Sequence, residues 1–254
     1  MSASAEGSRR TTPLRDVSEE LQHCSIERRF ELLSQAQFFS QLPDGAMGEA
    51  NRAFREVHFA QHEWIYHFGD PAERMYIIAA GQVKLTRQGP DGTEVLLQLA
   101  APGDLIGGLA AIGNNAYADG AQAHTDCCLL GIASSDFRNL LQKHPDVTMK
   151  VLEFAGNQLR QARDAIRSLS TGSTEQRIAT TLLQLAARYG EESDGMLLIQ
   201  TPLPQNDLAG MTGTTVETVS RTLSRFRRDG LVKTGRGWIG VTDEGGLRAI
   251  ADTA

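Results

Sequence analysis

Between Arg55 and Ala133 the apolar residues fall in short runs separated by turn formers. Residues 56–59, 75–78, 83–86, 95–99 and 128–130 read as strands, with Gly69-Asp70-Pro71, Gly81, Gly89-Pro90-Asp91-Gly92 and Pro102-Gly103-Asp104 between them. Short strands at this spacing predict an antiparallel barrel or roll. Ahead of it, residues 25–37 and 43–52 have the pattern of short helices.

Residues 145–169 follow a different rule. Pro145 suits the first turn of a helix, and only Gly156 interrupts a stretch otherwise free of glycine and proline. Leu152, Ala155, Leu159, Ala162, Ile166 and Leu169 recur at steps of 3, 4, 3, 4 and 3, the seam by which two helices pair. Ala155 and Ala162 permit close approach, and Gln158, Arg160, Gln161, Arg163 and Asp164 flank the seam. The pattern predicts a parallel homodimer through this helix; a helix packed on its own domain is the alternative.

Ser170-Thr171-Gly172-Ser173 is expected to break the helix and act as a hinge. Ser173 and Gln176 stand at capping-box spacing, which predicts a helix over 174–189 burying Ile178, Leu182, Leu185 and Ala186. Residues 190–195 read as a polar turn and 196–199 as a short strand. A helix over 205–211 is followed by Gly213, and Thr214 with Glu217 has capping-box spacing for a second helix over 215–228. Val216, Val219, Leu223 and Phe226 form its expected buried stripe; Glu217, Thr218, Ser220, Arg221, Ser224 and Arg225 form its exposed face. Residues 230–233 and 238–241 then make a hairpin. A helix-turn-helix with a wing is the expected result.

Composition adds limits. An apolar fraction of 41% and a charged fraction of 22% are those of a globular chain with a real core. No apolar run approaches membrane-spanning length. Residues 1–20 are polar, carry Arg9, Arg10 and Arg15, and lack the core of a secretory signal, so a disordered tail is expected over 1–24. Three cysteines, Cys24, Cys127 and Cys128, suit a reducing compartment, and a cytoplasmic location is expected. The net charge of −6 argues against a nucleic-acid partner for the chain as a whole. Binding to phosphates depends on a local patch, however, and the stretch 221–236 carries Arg221, Arg225, Arg227, Arg228, Lys233 and Arg236 against Asp229 alone.

The exposed face of the second helix has the chemistry for reading double-stranded DNA. Arginine can bond guanine O6 and N7 together, glutamate can accept from the cytosine amino group, and hydroxyl side chains can contact base or phosphate. Glu217, Ser220 and Arg221 are the expected base readers. Thr214, Thr215, Thr218, Ser224, Arg225, Lys233 and Arg236 are the expected backbone contacts.

The string Val216-Glu217-Thr218-Val219-Ser220-Arg221 resembles the recognition-helix motif of the Fnr branch of the Crp-Fnr family of transcription regulators. The resemblance covers about residues 25–252. It implies an α+β protein with an N-terminal double-stranded β-helix (a jelly roll of the cyclic-nucleotide-binding kind), a long dimerisation helix and a C-terminal winged helix-turn-helix. The corresponding divisions are 1–24, 25–135, 136–169 and 170–254. It further implies a homodimer, half-sites similar to TTGAT in an inverted repeat, RNA polymerase as a partner, and no enzymatic activity or membrane association.

The resemblance does not name the signal. Cyclic-nucleotide sensors of the family hold the ring phosphate with an arginine beside a small hydroxyl residue and the ribose with a glutamate. Here Gly108 stands about where the glutamate belongs, Tyr117-Ala118 where the arginine pair belongs, and no lysine or arginine lies between Arg87 and Arg138. Cyclic AMP in the usual pose is therefore not expected, because a buried phosphate would lack a fixed cation. Three cysteines do not complete the four-cysteine set of an iron–sulfur cluster. Haem in the roll, held by a histidine among His58, His62, His67 and His124 for sensing nitric oxide or carbon monoxide, is an alternative, as is oxidation of Cys24 beside His23, Arg28 and Arg29. A small-molecule effector pocket is expected along Leu105, Gly107, Gly108, Leu109 and Tyr117. No metal site is expected, since His58, His62 and His67 match no strong zinc spacing. The rival from another class is a cupin-like metal-binding protein with a protein-interaction tail.

Overall fold

The computed structural model describes residues 33, 39, 44–89, 94–107, 116–199, 203–235 and 237–252. The expected tail over 1–24, most of the expected helix over 25–37, and Gly108, Leu109 and Arg236 lie outside these residues; Leu33 is helical and fully buried. The chain divides between Thr171 and Gly172 into two compact units.

Among the described residues of the first unit, helix α1 (Asp44–Ala53) precedes eight strands: β1 (Arg55–Phe59), β2 (Trp64–Tyr66), β3 (Arg74–Ala80), β4 (Val83–Gln88), β5 (Glu94–Ala100), β6 (Leu105–Ile106), β7 (Gly120–Ala123) and β8 (Cys127–Ala133). They form two four-stranded sheets, ordered β1-β8-β3-β6 and β2-β7-β4-β5, with every pairing antiparallel. Side chains alternate across a strand, and here both faces of the first sheet are covered. Met75, Ile77, Cys128, Leu130 and Ile132 pack with Phe54, Phe137, Val147 and Val151 of the helical side. Tyr76, Ile78, Cys127 and Leu129 face the second sheet with Val83, Leu85 and Ala121. Double-sided burial is why β3 and β8 read as unbroken apolar runs. The sequence pattern omitted β2, β6 and β7 because they are two to four residues long and include the Gly120-Ala121-Gln122-Ala123 stretch, which lacks an apolar alternation.

Helix α2 (Ser134–Lys143) and helix α3 (Pro145–Thr171) close this unit, separated by His144. In α3 only Val147 and Val151 are buried. Met149, Leu152, Leu159, Ile166 and Leu169 are 57, 59, 53, 64 and 51% exposed. The helix runs two residues beyond the expected break. Ser170 and Thr171 stay helical, their hydroxyls donating back to the carbonyl oxygens of Ile166 (2.8 Å) and Arg167 (2.9 Å), so the interval before the next helix is only Gly172 and Ser173. Trp64 on β2 is 37% exposed and lies beside the His67 ring, centroids 4.6 Å apart.

The second unit starts with α4 (Thr174–Tyr189), whose capping box is complete. The Ser173 hydroxyl accepts from the Gln176 N–H at 3.2 Å, and the Ser173 N–H donates to Gln176 Oε1 at 2.6 Å. Strands β9 (Gly190–Ser193) and β10 (Met196–Ile199) follow. The stretch expected as a polar turn is thus mostly strand. Only Asp194 and Gly195 turn, at φ 49° and 72°, and this positive-φ pair is the tight hairpin connection favoured by Asp-Gly. Helices α5 (Gln205–Thr212) and α6 (Val216–Arg228), strands β11 (Val232–Gly235) and β12 (Trp238–Val241), and helix α7 (Glu244–Ala251) complete the unit. The wing hairpin is part of a four-stranded sheet, β11-β12-β10-β9, in which Val241 sits opposite both Leu197 and Val232. Ile178, Leu182, Leu208, Val219, Phe226, Val232 and Leu247 share its core. The fold is a cyclic-nucleotide-binding-type roll, a long helix and a winged helix-turn-helix. No described helix is long and apolar enough to cross a membrane.

Candidate nucleic-acid interface

Helix α5 ends at Gly213, whose φ of 58° and ψ of 45° place it in the left-handed region. Side chains rarely adopt that conformation, and glycine does so at no steric cost. The Thr214 N–H donates to the Ala209 oxygen at 3.0 Å, and three residues, 213–215, carry the chain into α6. The cap of α6 is Thr215, not Thr214: its hydroxyl accepts from the Thr218 N–H at 3.3 Å. Thr214 and Glu217 therefore form no capping box, because the first helical residue is Val216. Glu217 stands in the first turn of α6 with its side chain exposed.

Val219, Thr222, Leu223 and Phe226 are the buried face of α6. Val216, expected in that stripe, is 41% exposed; the first turn projects past the buried contacts and adds an apolar surface next to Glu217. Glu217 and Arg221 are exposed and Ser220 and Ser224 half-buried, and their spacing places them along one side of the helix. Arg221 is supported from below: its guanidinium donates to the Thr218 hydroxyl at 3.4 Å, and that hydroxyl is 3.0 Å from the Thr215 hydroxyl.

Arg225 and Arg227 are engaged within the unit. Arg225 pairs with Glu175 at 2.5 Å, so its expected backbone contact competes with an existing ion pair. Arg227 donates to Ser224 (3.5 Å) and Thr234 (3.4 Å), tying α6 to the wing. A groove between α6 and the wing is lined by Ser220, Ser224, Arg227, Thr234, Gly235 and Trp238. Gly235 is needed there, since a Cβ would collide with the Trp238 indole. Lys233 is exposed on β11. Sequence reasoning missed Arg177, which donates from Nε to the Thr212 oxygen at 2.7 Å and from the guanidinium to the Gly172 oxygen at 2.8 Å.

Of the expected effector-pocket residues, the structure brings Gly107 and Tyr117 together, whereas Leu105, on β6 opposite Ile77, packs with the helical side of the sheet and away from Tyr117. Tyr117 is buried, its hydroxyl donating to the Arg74 oxygen at 2.7 Å and accepting from the Arg74 N–H at 3.3 Å. Gly107 has a φ of +71°, and a Cβ there would lie 2.9 Å from the Tyr117 ring. Tyr66 stacks on Tyr117 with centroids 3.8 Å apart and planes 13° apart, and its hydroxyl donates to Asp119 Oδ1 at 3.1 Å. Burial pushes the Tyr117 hydroxyl up to about 12 and holds the Asp119 carboxyl above its usual range. Tyr117, expected to stand where the cyclic-nucleotide sensors carry an arginine, is thus a buried member of a tyrosine stack. Both Cys127 and Cys128 are core residues. Burial pushes the Cys127 thiol up to about 11, which keeps it protonated and unreactive at neutral pH.

Residues 56–144 match the cyclic nucleotide-binding domain, and residues 176–250 match the Crp-like helix-turn-helix domain. The chain belongs to the Crp-Fnr family. Among curated relatives of this Crp-Fnr protein, a CRP-like cAMP-activated global transcriptional regulator of Mycobacterium tuberculosis is 28% identical over 88% of the chain and 96% of the relative. The nitrogen fixation regulation protein FixK of Bradyrhizobium diazoefficiens is also 28% identical, over 84% of the chain and 88% of the relative. The solved structure of FixK2 from Bradyrhizobium japonicum superimposes with a TM-score of 0.71 at 25% identity, covering 79% of this chain and 98% of that one. This Crp-Fnr protein is a DNA-binding transcription regulator and not an enzyme.

Proposed function

We propose that this regulator works as a homodimer that reads an inverted repeat similar to TTGAT-N4-ATCAA through Glu217, Ser220 and Arg221. The observation that carries the reading is the exposed side of α6. Arg221 stands there on the Thr218 and Thr215 hydroxyls, one turn beyond an exposed Glu217 that no cap consumes. A pre-held guanidinium loses little freedom when it takes both acceptors of a guanine. Exposed Val216 supplies an apolar contact of the sort a thymine methyl prefers. Thr215, Thr218, Ser224 and Lys233 are the phosphate contacts of this reading, and the expectation for Thr214 and Arg236 is kept with them.

The homodimer reading rests on α3. Leu152, Leu159, Ile166 and Leu169 are more than half exposed in the single chain, and a row of large apolar side chains along one helix is what a partner helix covers. Two-fold pairing of the helices spaces the recognition helices about one DNA turn apart. A signal in the roll would shift the equilibrium between two arrangements of the helix pair, with Gly172 and Ser173 as the joint. The bound regulator then recruits or obstructs RNA polymerase. Cyclic AMP in the usual pose is not that signal in this reading, since a buried, doubly bonded Tyr117 replaces the cation that the phosphate requires.

The test is titration of the full-length protein on a TTGAT-N4-ATCAA duplex and a scrambled duplex at several salt concentrations, with and without cyclic AMP. Tight binding to the palindrome alone, with affinity falling as salt rises and no response to cyclic AMP, supports the proposal. Equal affinity for both duplexes overturns the base-reading assignment, and activation by cyclic AMP overturns the reading of the roll.

A further inference from the structure

The edge of the first sheet carries a cluster unrelated to DNA reading. Strand β1 pairs with β8 so that His58 lies directly opposite Cys128 and Glu56 opposite Leu130. Residues two apart on a strand share a face, and residues opposite each other across a ladder do too. Glu56, His58 and Cys128 therefore converge on one side of the sheet. His58 Nε2 is 2.8 Å from Glu56 Oε1, the Cys128 thiol donates to the same oxygen at 3.5 Å, and one donor atom from each of the three lies within 4.8 Å of the others.

We infer that Glu56, His58 and Cys128 form a binding site for zinc or a closely similar divalent metal ion. The expectation of no metal site rested on the spacing of His58, His62 and His67; the ladder instead joins His58 to a cysteine 70 positions away in the chain. Imidazole, carboxylate and thiolate at bond lengths of about 2.0–2.3 Å around a tetrahedral ion stand about 3.3–3.8 Å apart. The observed separations reach that range by small side-chain rotations on a backbone already fixed by the ladder. Sulfur and nitrogen donors select zinc-like ions over magnesium and calcium, which take oxygen alone.

Charge and burial fit the same ion. With Cys128 as thiolate, its proton leaving to solvent, two anionic ligands balance a divalent cation, so a partly buried site remains neutral. Cys128 is 2% exposed, whereas the Glu56 and His58 side chains are 23 and 54% exposed. The ion thus has an entry path and a fourth, outward position for water or a further donor. Cys128 belongs to the core that includes Phe137 and Val151 of α2 and α3. A bound ion would pin edge strand β1 to the packing beneath those helices.

Chelator-stripped full-length protein titrated with Zn²⁺, and separately with Co²⁺, tests the inference. The expected result is about one ion per chain, a thiolate-to-cobalt charge-transfer band with the visible bands of tetrahedral Co²⁺, and a higher melting temperature with Zn²⁺. His58→Gln, at an exposed side chain that tolerates change, should weaken binding by more than about a hundredfold, the upper end of what losing a mere orienting group does. Cys128→Ser should abolish the charge-transfer band. Failure of the wild-type chain to take up an ion, a Co²⁺ complex without that band, full binding by His58→Gln, or a band that survives Cys128→Ser would each overturn the site.

Discussion

Arg177 Nε donates to the carbonyl oxygen of Thr212 at 2.7 Å. The acceptor is the last residue of α5, at the turn before the recognition helix, while the other end of the same guanidinium holds the Gly172 oxygen at 2.8 Å. One side chain in the first turn of α4 therefore fixes both the start of the DNA-binding unit and the turn that aims α6. Arg177→Ala should leave these carbonyls without their charged donor and destabilise the second unit by about 1–3 kcal/mol. Affinity for the palindrome should fall without a change in base preference. Chemical denaturation together with binding to single-base variants of the site checks this; a shifted base preference would assign Arg177 a direct reading role.

Arg221→Ala removes the supported guanidinium while leaving the buried face of α6 intact. Specific affinity should fall by about 1–3 kcal/mol per half-site, and discrimination should relax at one base pair in each. A binding series over all four bases at each position measures it. Undiminished discrimination would mean that Arg221 contacts only the backbone.

Leu159→Arg places a charge in the middle of the exposed row on α3. Because the residue is 53% exposed in the single chain, the fold should persist, and the dimer should not. Light scattering is expected to give the monomer mass at concentrations where the wild-type chain gives twice that value. An unchanged dimer mass would move the interface elsewhere.

Asp119 gives a pH dependence of defined sign. Burial raises its carboxyl, with the Tyr66 hydrogen bond and Arg87 acting the other way. A carboxyl raised on folding contributes stability that is present below its unfolded value and lost as pH rises through its folded one. Asp119→Asn keeps an acceptor for the Tyr66 hydroxyl and removes the charge. At neutral pH the variant should melt no lower than the wild type, and any advantage should vanish by about pH 3. A variant clearly less stable at neutral pH would show that attraction to Arg87 outweighs burial.

Much of this architecture was legible in the sequence because the relevant signals are local. Ser173 and Gln176 marked the start of α4, Gly213 the turn, and the period of Leu152, Leu159 and Ile166 the exposed row. Errors arose where a local signal had two readings one residue apart. Thr214 and Thr215 are both capping residues, and only the backbone shows which is used. Asp194-Gly195 reads as part of a longer turn because Glu191, Glu192 and Ser193 are polar, although a sheet edge facing water accepts such residues readily. Contacts set by tertiary structure left no trace in spacing: Arg177 against Thr212, Tyr66 on Tyr117, and His58 facing Cys128. Each joins residues at least 35 positions apart.

The chain has two tryptophans, and they fall one to a unit: Trp64 on β2 of the roll and Trp238 on β12 of the wing. Each unit thus carries its own fluorophore. Trp64→Phe leaves an emission that reports the groove beside α6, and Trp238→Phe leaves one that reports the roll. The two single-tryptophan proteins would show, without any added dye, whether the units melt together or in sequence and which of them responds first when DNA or a signal arrives.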